Sequence, residues 1–340
     1  MNIKRASGRP CPIERDLYEF SIPQSAELIV PTLQLSSGGN IPVVALGTWL
    51  GHRPKGKVVQ VTNDTEQAVI YALEAGYTHI DTAYKYGIED QVGRALTKKF
   101  SEGLKRESIF ITTKLWNSFH EREQVVPALR KSLENLNLEY VDLYLIHWPI
   151  AMFENDTLLD NVDFLDTWRG MIDAKKLGLT KSIGISNFNQ EQIQRIIDSG
   201  LEKPSALQIE LNLNLQQPEL FKFCRENDIV VMAYTPFGSL FPSKAQPDAP
   251  PPRIDDERLV GIAQKYNKTV PQVALRFLIE LGAVVLPKSV HKERIEQNIQ
   301  LFDFSLTPEE FNLLKSFDTG YRTLPQTKWS KHPDYPFQLA

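Results

Sequence analysis

IFITTKLWNSFHEREQVVPALRKSLENLNLEYVDLYLIH, residues 109–147, contains a strand, a helix and a second strand in that order. IFITTK (109–114) and VDLYLIH (141–147) are short runs rich in β-branched and aromatic residues. Between them Val125, Val126, Leu129, Leu133 and Leu136 recur at the three-to-four-residue interval of one helix face. Pro127 is expected in or near that helix's first turn, where a missing N–H is tolerated. Two strands joined through a helix form the crossover of a parallel sheet.

The same alternation extends in both directions. Towards the N-terminus lie VVALG (43–47) and THID (78–81), separated by TEQAVIYALEAG, whose Ala68, Val69, Ala72 and Leu73 share a face before Gly76 stops the helix. Towards the C-terminus KSIGIS (181–186), ALQIE (206–210), IVVMAY (229–234) and AVVLPK (283–288) are spaced by the helical patterns DFLDTWRGMIDAKKLG, NQEQIQRIIDSG and VPQVALRFLIELG. Eight strands, each followed by a helix, predict an α/β fold of the (β/α)8 TIM-barrel type, with long loops at its C-terminal face. A doubly wound open sheet is the alternative, but no G-x-G-x-x-G follows the first strand. Before the alternation, TLQLSSGGNIPVV reads as a β-hairpin placed as a plug across one end of the barrel. Residues 1–30 are expected to be a flexible extension, and 31–340 one barrel domain. The Pro-rich run over 237–259 is too long for an ordinary connection and reads as a functional flap.

Composition narrows the function. A chain of 340 residues with 42% hydrophobic content has the material for a large core. Its net charge of −4 argues against a nucleic-acid partner. No run approaches a membrane span, and the N-terminus carries basic residues without an apolar signal segment. Two cysteines, Cys11 and Cys224, make no disulfide framework, so a cytoplasmic location is expected.

In a barrel the chemistry sits where the strands end. These strands end in Thr48-Trp49, Asp81, Lys114, His147, Ser186-Asn187, Gln208 with Glu210, Tyr234 and Lys288-Ser289. Taken singly, Asp81 reads as a cap, Lys114 as a surface lysine and His147 as a satisfied core histidine. Together, Asp81 and Lys114 on neighbouring strands would form a partly buried ion pair. A cation beside Tyr86 is expected to lower its pKa from about 10. A phenol so tuned exchanges a proton with an oxyanion, and His147 can orient the same oxygen.

GYTHIDTAYKYGIEDQVG (76–93), TKLW (113–116), YLIHWP (144–149), IGISNF (183–188), YTPFGS (234–239) and LPKSVHKERIEQN (286–298) resemble the aldo-keto reductase superfamily over about residues 32–340. The DTAYKYG (81–87) and EDQVGRAL (89–96) wording is most similar to insect reductases of the group that includes 3-dehydroecdysone reductases. The resemblance implies NADPH-dependent reduction of aldehydes and ketones, ketosteroids such as 3-dehydroecdysone among them. Asp81, Tyr86, Lys114 and His147 are then a catalytic tetrad, with hydride from nicotinamide C4 and a proton from Tyr86. It places Thr48, Trp49 and Asp81 beside the cofactor. Ser186, Asn187 and Gln208 hold its carboxamide, and Tyr234 lies on its ring. The stretch Pro236, Phe237, Gly238, Ser239 and Leu240 covers the pyrophosphate. Lys288, Ser289, Val290 and Arg294 receive the adenosine 2′-phosphate, with Gln297 and Asn298 near adenine. The substrate wall is Trp49, Tyr86, Trp116, His147, Trp148, Tyr321 and Leu324. Thr78 replaces an arginine frequent in relatives, and Tyr321 replaces a tryptophan, so substrate preference is not carried over.

The implied partner is a small carbonyl compound, with no nucleic acid, membrane or metal, and the chain is expected to be a monomer. Two other functions compete. A metal-dependent hydrolase could use His79, Asp81 and His147, but no second H-x-H appears. A non-catalytic NADPH-binding or structural protein could use the same barrel, since fold does not fix function.

Overall fold

A computed structural model describes residues 30–51, 63–155, 157–159 and 161–337. The expected extension over 1–30 lies outside the described residues apart from Val30. The hairpin forms as expected: β1 (Thr32–Gln34) and β2 (Asn40–Pro42) pair antiparallel with Leu33 opposite Ile41. Leu33, Leu35 and Ile41 turn inward and are buried.

Eight parallel strands follow: β3 (Leu46–Gly47), β4 (His79–Asp81), β5 (Phe110–Leu115), β6 (Val141–Ile146), β7 (Thr180–Ser186), β8 (Ala206–Glu210), β9 (Val230–Tyr234) and β10 (Val284–Val285). They lie in chain order, each bonded to the next. Parallel bridges Val44–Val285 and Gly47–Lys288 join the first to the last and close the ring. A closed ring has no open edge, which is how eight parallel strands satisfy their backbone groups. β3 and β10 are shorter than the expected 43–47 and 283–288. Pro287 has no N–H to contribute, so the ladder between β9 and β10 stops at Val285 and closure relies on single bridges.

Helices cover the outside: α1 (Asp64–Glu74), α2 (Glu89–Ser101), α3 (Arg122–Leu136), α4 (Phe164–Lys176), α5 (Gln190–Asp198), α6 (Pro218–Glu226), α7 (Glu257–Lys265), α8 (Val270–Glu280), α9 (Lys292–Ile299) and α10 (Pro308–Lys315). Local sequence explains their starts. Asn189 with Gln192, Thr269 with Gln272 and Thr307 with Glu310 form reciprocal capping boxes at α5, α8 and α10. Gly93 lets α2 meet α3, because a Cβ there would stand 2.6 Å from the Asn135 carbonyl oxygen. Two expectations need correction. Pro127 is the sixth residue of α3 rather than part of its first turn, because the helix already starts at Arg122. The flap ends before residue 259, because Asp256 accepts the Arg258 N–H at 3.0 Å and caps α7. No helix among the described residues is long and apolar enough to cross a membrane.

The hairpin closes the N-terminal mouth. Ser37 in its turn meets Ser182 near the start of β7 at 2.7 Å. His79, opening β4, shares hydrogen bonds with the Pro42 carbonyl (3.2 Å) and the Thr112 hydroxyl (2.9 Å). Burial lowers His79 to about 4 and, with repulsion from His332, lowers His120 to about 3. An unfolded chain takes up these protons near pH 6.5 and the folded chain refuses them, so stability falls with pH across this window. Between pH 6.5 and 4, His79 alone is expected to remove roughly 3 kcal/mol. Urea midpoints measured at pH 7, 6, 5 and 4.5 should fall steadily; a constant midpoint contradicts the account.

Candidate active site

With one mouth plugged, the strand ends open into a cavity of about 420 Å³ at the other. Neighbouring parallel strands bring together side chains distant in the chain. β3, β4 and β5 adjoin in register, so Asp81 ends its strand beside the path of Lys114. The Lys114 ammonium donates to Asp81 Oδ1 at 2.7 Å, to the Thr82 carbonyl at 2.9 Å and to Tyr86 Oη at 3.4 Å. Lys114 is completely buried and Asp81 nearly so; the ion pair expected to be partly buried is fully enclosed. Asp81 Oδ2 accepts from Gln208 at 2.8 Å, and Thr48 bonds the Asp81 carbonyl at 2.9 Å. Both carboxylate oxygens are therefore satisfied, which a buried charge requires.

Tyr86 ends a single 3-10 turn, Tyr84–Tyr86, which Gly87 closes in the left-handed region at φ 65°. Its ring meets the His147 ring edge-on at 5.7 Å, and His147 meets Trp116 in the same way at 5.3 Å. Tyr86 and His147 both line the cavity. One expectation reverses: Tyr86 is raised well above 10, first by burial and then by the Asp81 charge. The Lys114 ammonium, already shared with Asp81 and Thr82, does not offset these. The phenol is thus a held proton, the form an acid needs. His147 is pushed well below its usual value by burial, Lys114 and Lys85, so it is neutral near pH 7. Burial also lowers Lys114, while Asp81 opposes the loss of its proton.

Beside this group lie residues suited to a flat amide-bearing ring. Ser186, Asn187, Gln208 and Tyr234 all line the cavity. Tyr234 donates to Asn187 Oδ1 at 2.7 Å, and Asn187 donates to the His147 carbonyl at 2.9 Å. Asn187 and Thr235 follow their strands with φ of 62° and 48°. A β-branched residue there is strained, and such strain collects at functional positions.

The cavity continues over Thr48, Trp49, Pro236, Phe237 and Gly238 to Lys244 and Lys288. Gly238 is required, because at φ +47° a Cβ would strike the Asn212 side chain at 2.6 Å. Ser239, buried next to Leu240, has a hydroxyl without a partner. Burial and the neighbouring Lys244 lower Lys288. Two ammonium groups that repel each other in the cavity wall, with an orphaned hydroxyl on the loop that carries Lys244, fit a polyanion such as NADPH; Ser239 and Leu240 themselves are not among the lining residues. Ser289, Val290, Arg294, Gln297 and Asn298 lie on or just before α9 and are not among the cavity's lining residues. Ser289 instead caps the His291 N–H at 3.1 Å. Arg294 is exposed and makes no ion pair among the described residues.

The end of the cavity beyond His147 is aromatic. Trp116, Trp148 and Leu324 are among the residues lining this cavity. Tyr321 is not: its hydroxyl bonds Asp248 of the flap at 3.1 Å, outside the wall. Trp329 is the ring there, 5.1 Å from Trp148 and 6.2 Å from Trp116. Trp329 is not part of the wall expected from the sequence. Nor is Lys244 expected: it is one of three cations in the Pro-rich stretch 237–259, with nothing local to set it apart from Arg253 and Arg258.

Comparison with known proteins agrees with this geometry. Residues 43–319 match the aldo/keto reductase family. The chain is 48% identical to the Bombyx mori aldo-keto reductase AKR2E4 over 90% of this chain and 98% of that one. It is 41% identical to the mouse aldo-keto reductase family 1 member D1, over 90% and 96%. The crystal structure of the Bombyx mori AKR2E4 in complex with NADP superimposes with a TM-score of 0.86, covering 91% of this chain and 99% of that chain. A second aldo-keto reductase, AKR2E5 complexed with NADPH, is 40% identical with a TM-score of 0.88, covering 92% and 95%.

Proposed function

This chain belongs to the aldo/keto reductase family and is an NADPH-dependent oxidoreductase of carbonyl compounds, and we propose that it reduces apolar aldehydes and ketones to alcohols with Tyr86 as the proton donor. The observation that carries the proposal is the Tyr86 hydroxyl, held 3.4 Å from a fully buried ammonium in the wall of one cavity.

When bound, NADPH supplies a hydride from its nicotinamide. The protein's part is to bind, orient and protonate. Tyr86 gives its proton to the carbonyl oxygen as negative charge develops there, and the phenolate left behind faces the Lys114 ammonium. Asp81 keeps that ammonium charged and fixed. Neutral His147 donates a hydrogen bond to the same oxygen without adding a charge that would compete with Lys114. Ser186, Asn187 and Gln208 orient the carboxamide, and Tyr234 offers its ring as a flat support. Trp116, Trp148, Trp329 and Leu324 exclude water and favour an aromatic or steroidal body over a charged one. Aliphatic and aromatic aldehydes and ketosteroids, 3-dehydroecdysone among them, are the substrates this wall suits. We take residues 31–340 as one working unit, monomeric and cytoplasmic.

The test is NADPH oxidation with a panel of aliphatic aldehydes, aromatic aldehydes, quinones and ketosteroids. Turnover of the aromatic members supports the reading; none with any carbonyl rejects it in favour of a non-catalytic protein. Lys288 and Arg294 are assigned to the 2′-phosphate, so Lys288→Ala with Arg294→Ala should weaken NADPH by about a hundredfold and NADH little. Dissociation constants from fluorescence quenching decide it, and equal losses for both cofactors reject the assignment.

A further inference from the structure

Glu210, the last residue of β8, is a fully buried carboxylate that takes no part in the chemistry above. Its Oε1 accepts the Thr323 N–H at 2.7 Å and the Thr323 hydroxyl at 2.6 Å. Its Oε2 accepts the Leu324 N–H at 3.0 Å. A fourth, longer contact comes from Asn212 at 3.3 Å. Among the described residues it has no ion-pair partner.

This arrangement is unusual in where its donors come from. A buried negative charge must be met by donors or a cation. Here the three short bonds come from two consecutive residues of the C-terminal segment. Withdrawing that segment would leave the charge buried with one weak contact. Leu324, the second of the two, is also part of the cavity wall. The segment is pinned again just before, where Thr319 and Tyr321, four and two residues ahead of Thr323, donate their N–H groups to the Asn214 carbonyl at 3.1 Å each. Residues 210–214 thus form a fixed bracket for the segment, and Glu210 is its only charged member.

We propose that Glu210 is a positioning residue for substrate recognition: its carboxylate holds the backbone of Thr323 and Leu324 so that the Leu324 side chain stays set as pocket wall. The proposal rests on the carbonyl-reductase reading and adds a specificity determinant to it. Glu210 adjoins Tyr234 across the β8–β9 register but makes none of the hydrogen bonds of Asp81, Tyr86 or Lys114. Its loss should therefore act on substrate binding more than on turnover.

The experiment compares wild type, Glu210→Gln, Leu324→Ala and the double variant in the full chain with NADPH and an aromatic aldehyde. Glutamine keeps the size but presents one acceptor oxygen and an NH2 towards donors. Glu210→Gln is expected to raise KM about tenfold, the scale of a lost apolar contact in a pocket. kcat and the NADPH dissociation constant should stay within about twofold, since only uniform substrate binding is removed. Leu324→Ala should do the same, and the double variant should be no worse than either. Hydrogen exchange should accelerate in peptides spanning 319–326 and not elsewhere. Thr323→Val, which removes only the hydroxyl bond, should raise KM about threefold and serves if Glu210→Gln does not fold. An unchanged KM, an additive double variant, or parallel losses in kcat, KM and cofactor affinity overturns the proposal. If wild type turns over no carbonyl, the functional reading itself fails; if wild type turns over and KM does not move, only this inference fails.

Discussion

Tyr86→Phe is expected to lower kcat for carbonyl reduction by about a thousandfold, within the range assigned to a positioned acid. The substitution removes one oxygen and leaves the ring. That ring packs edge-on against His147 at 5.7 Å and lies 5.1 Å from the Lys114 ammonium. None of the three bonds to the Asp81 carboxylate and Lys114 ammonium that hold the ion pair and Gln208 together passes through it. NADPH affinity should therefore change by less than about twofold, because uniform binding is left intact. The raised pKa sharpens the prediction. Burial and Asp81 keep the phenol protonated, so wild-type reduction should show no loss of the acid form up to and beyond pH 9. Single-turnover rates with saturating NADPH, followed at several pH values, give both results. A variant within about tenfold of wild type would take the acid role away from Tyr86.

Why the direction of the Tyr86 shift escaped sequence reasoning is physical. Proximity of Lys114 followed from neighbouring strands, and it was right. The sign depends first on how deeply the phenol is buried and then on how the ammonium's charge is divided, and both need the folded geometry: Lys114 stands 2.7 Å from Asp81 against 3.4 Å from Tyr86. The barrel itself was legible because strands buried on both faces read as continuous apolar runs, such as VDLYLIH, with every residue of β6 buried. Strand ends were legible because polar residues there have no packing explanation. What pairs across long chain separations was not. Lys244 and Lys288 stand 44 residues apart, and nothing local to either announces the other. Trp329 occupying the wall in place of Tyr321 depends on the path of a segment with little regular structure. Glu210 looked like one more strand-end acid; its partners are 113 and 114 residues away. α10 was missed although Thr307-Pro308-Glu309-Glu310 spells a capping box with a proline at the first helical position.

Lys114→Met tests the other half of the site, and its largest effect falls on stability. Methionine fills the buried space and removes the charge. Asp81 then keeps Gln208 at 2.8 Å but loses its ion pair while remaining nearly buried. Leaving one partner of a buried pair alone costs about 3–5 kcal/mol. The backbone frame survives, because Thr48 binds the Asp81 carbonyl rather than its carboxylate. Adding Asp81→Asn removes the stranded charge, so the double variant should regain a large part of the lost stability. It should regain no activity, since nothing remains to face the Tyr86 phenolate. Urea unfolding and kcat measured on the two single variants and the double variant separate these outcomes. If stability and activity return together, Lys114 serves only to hold the fold. If stability does not return in the double variant, the ion pair is not what Lys114 contributes, and its bond to the Thr82 carbonyl at 2.9 Å carries the packing of the turn that presents Tyr86.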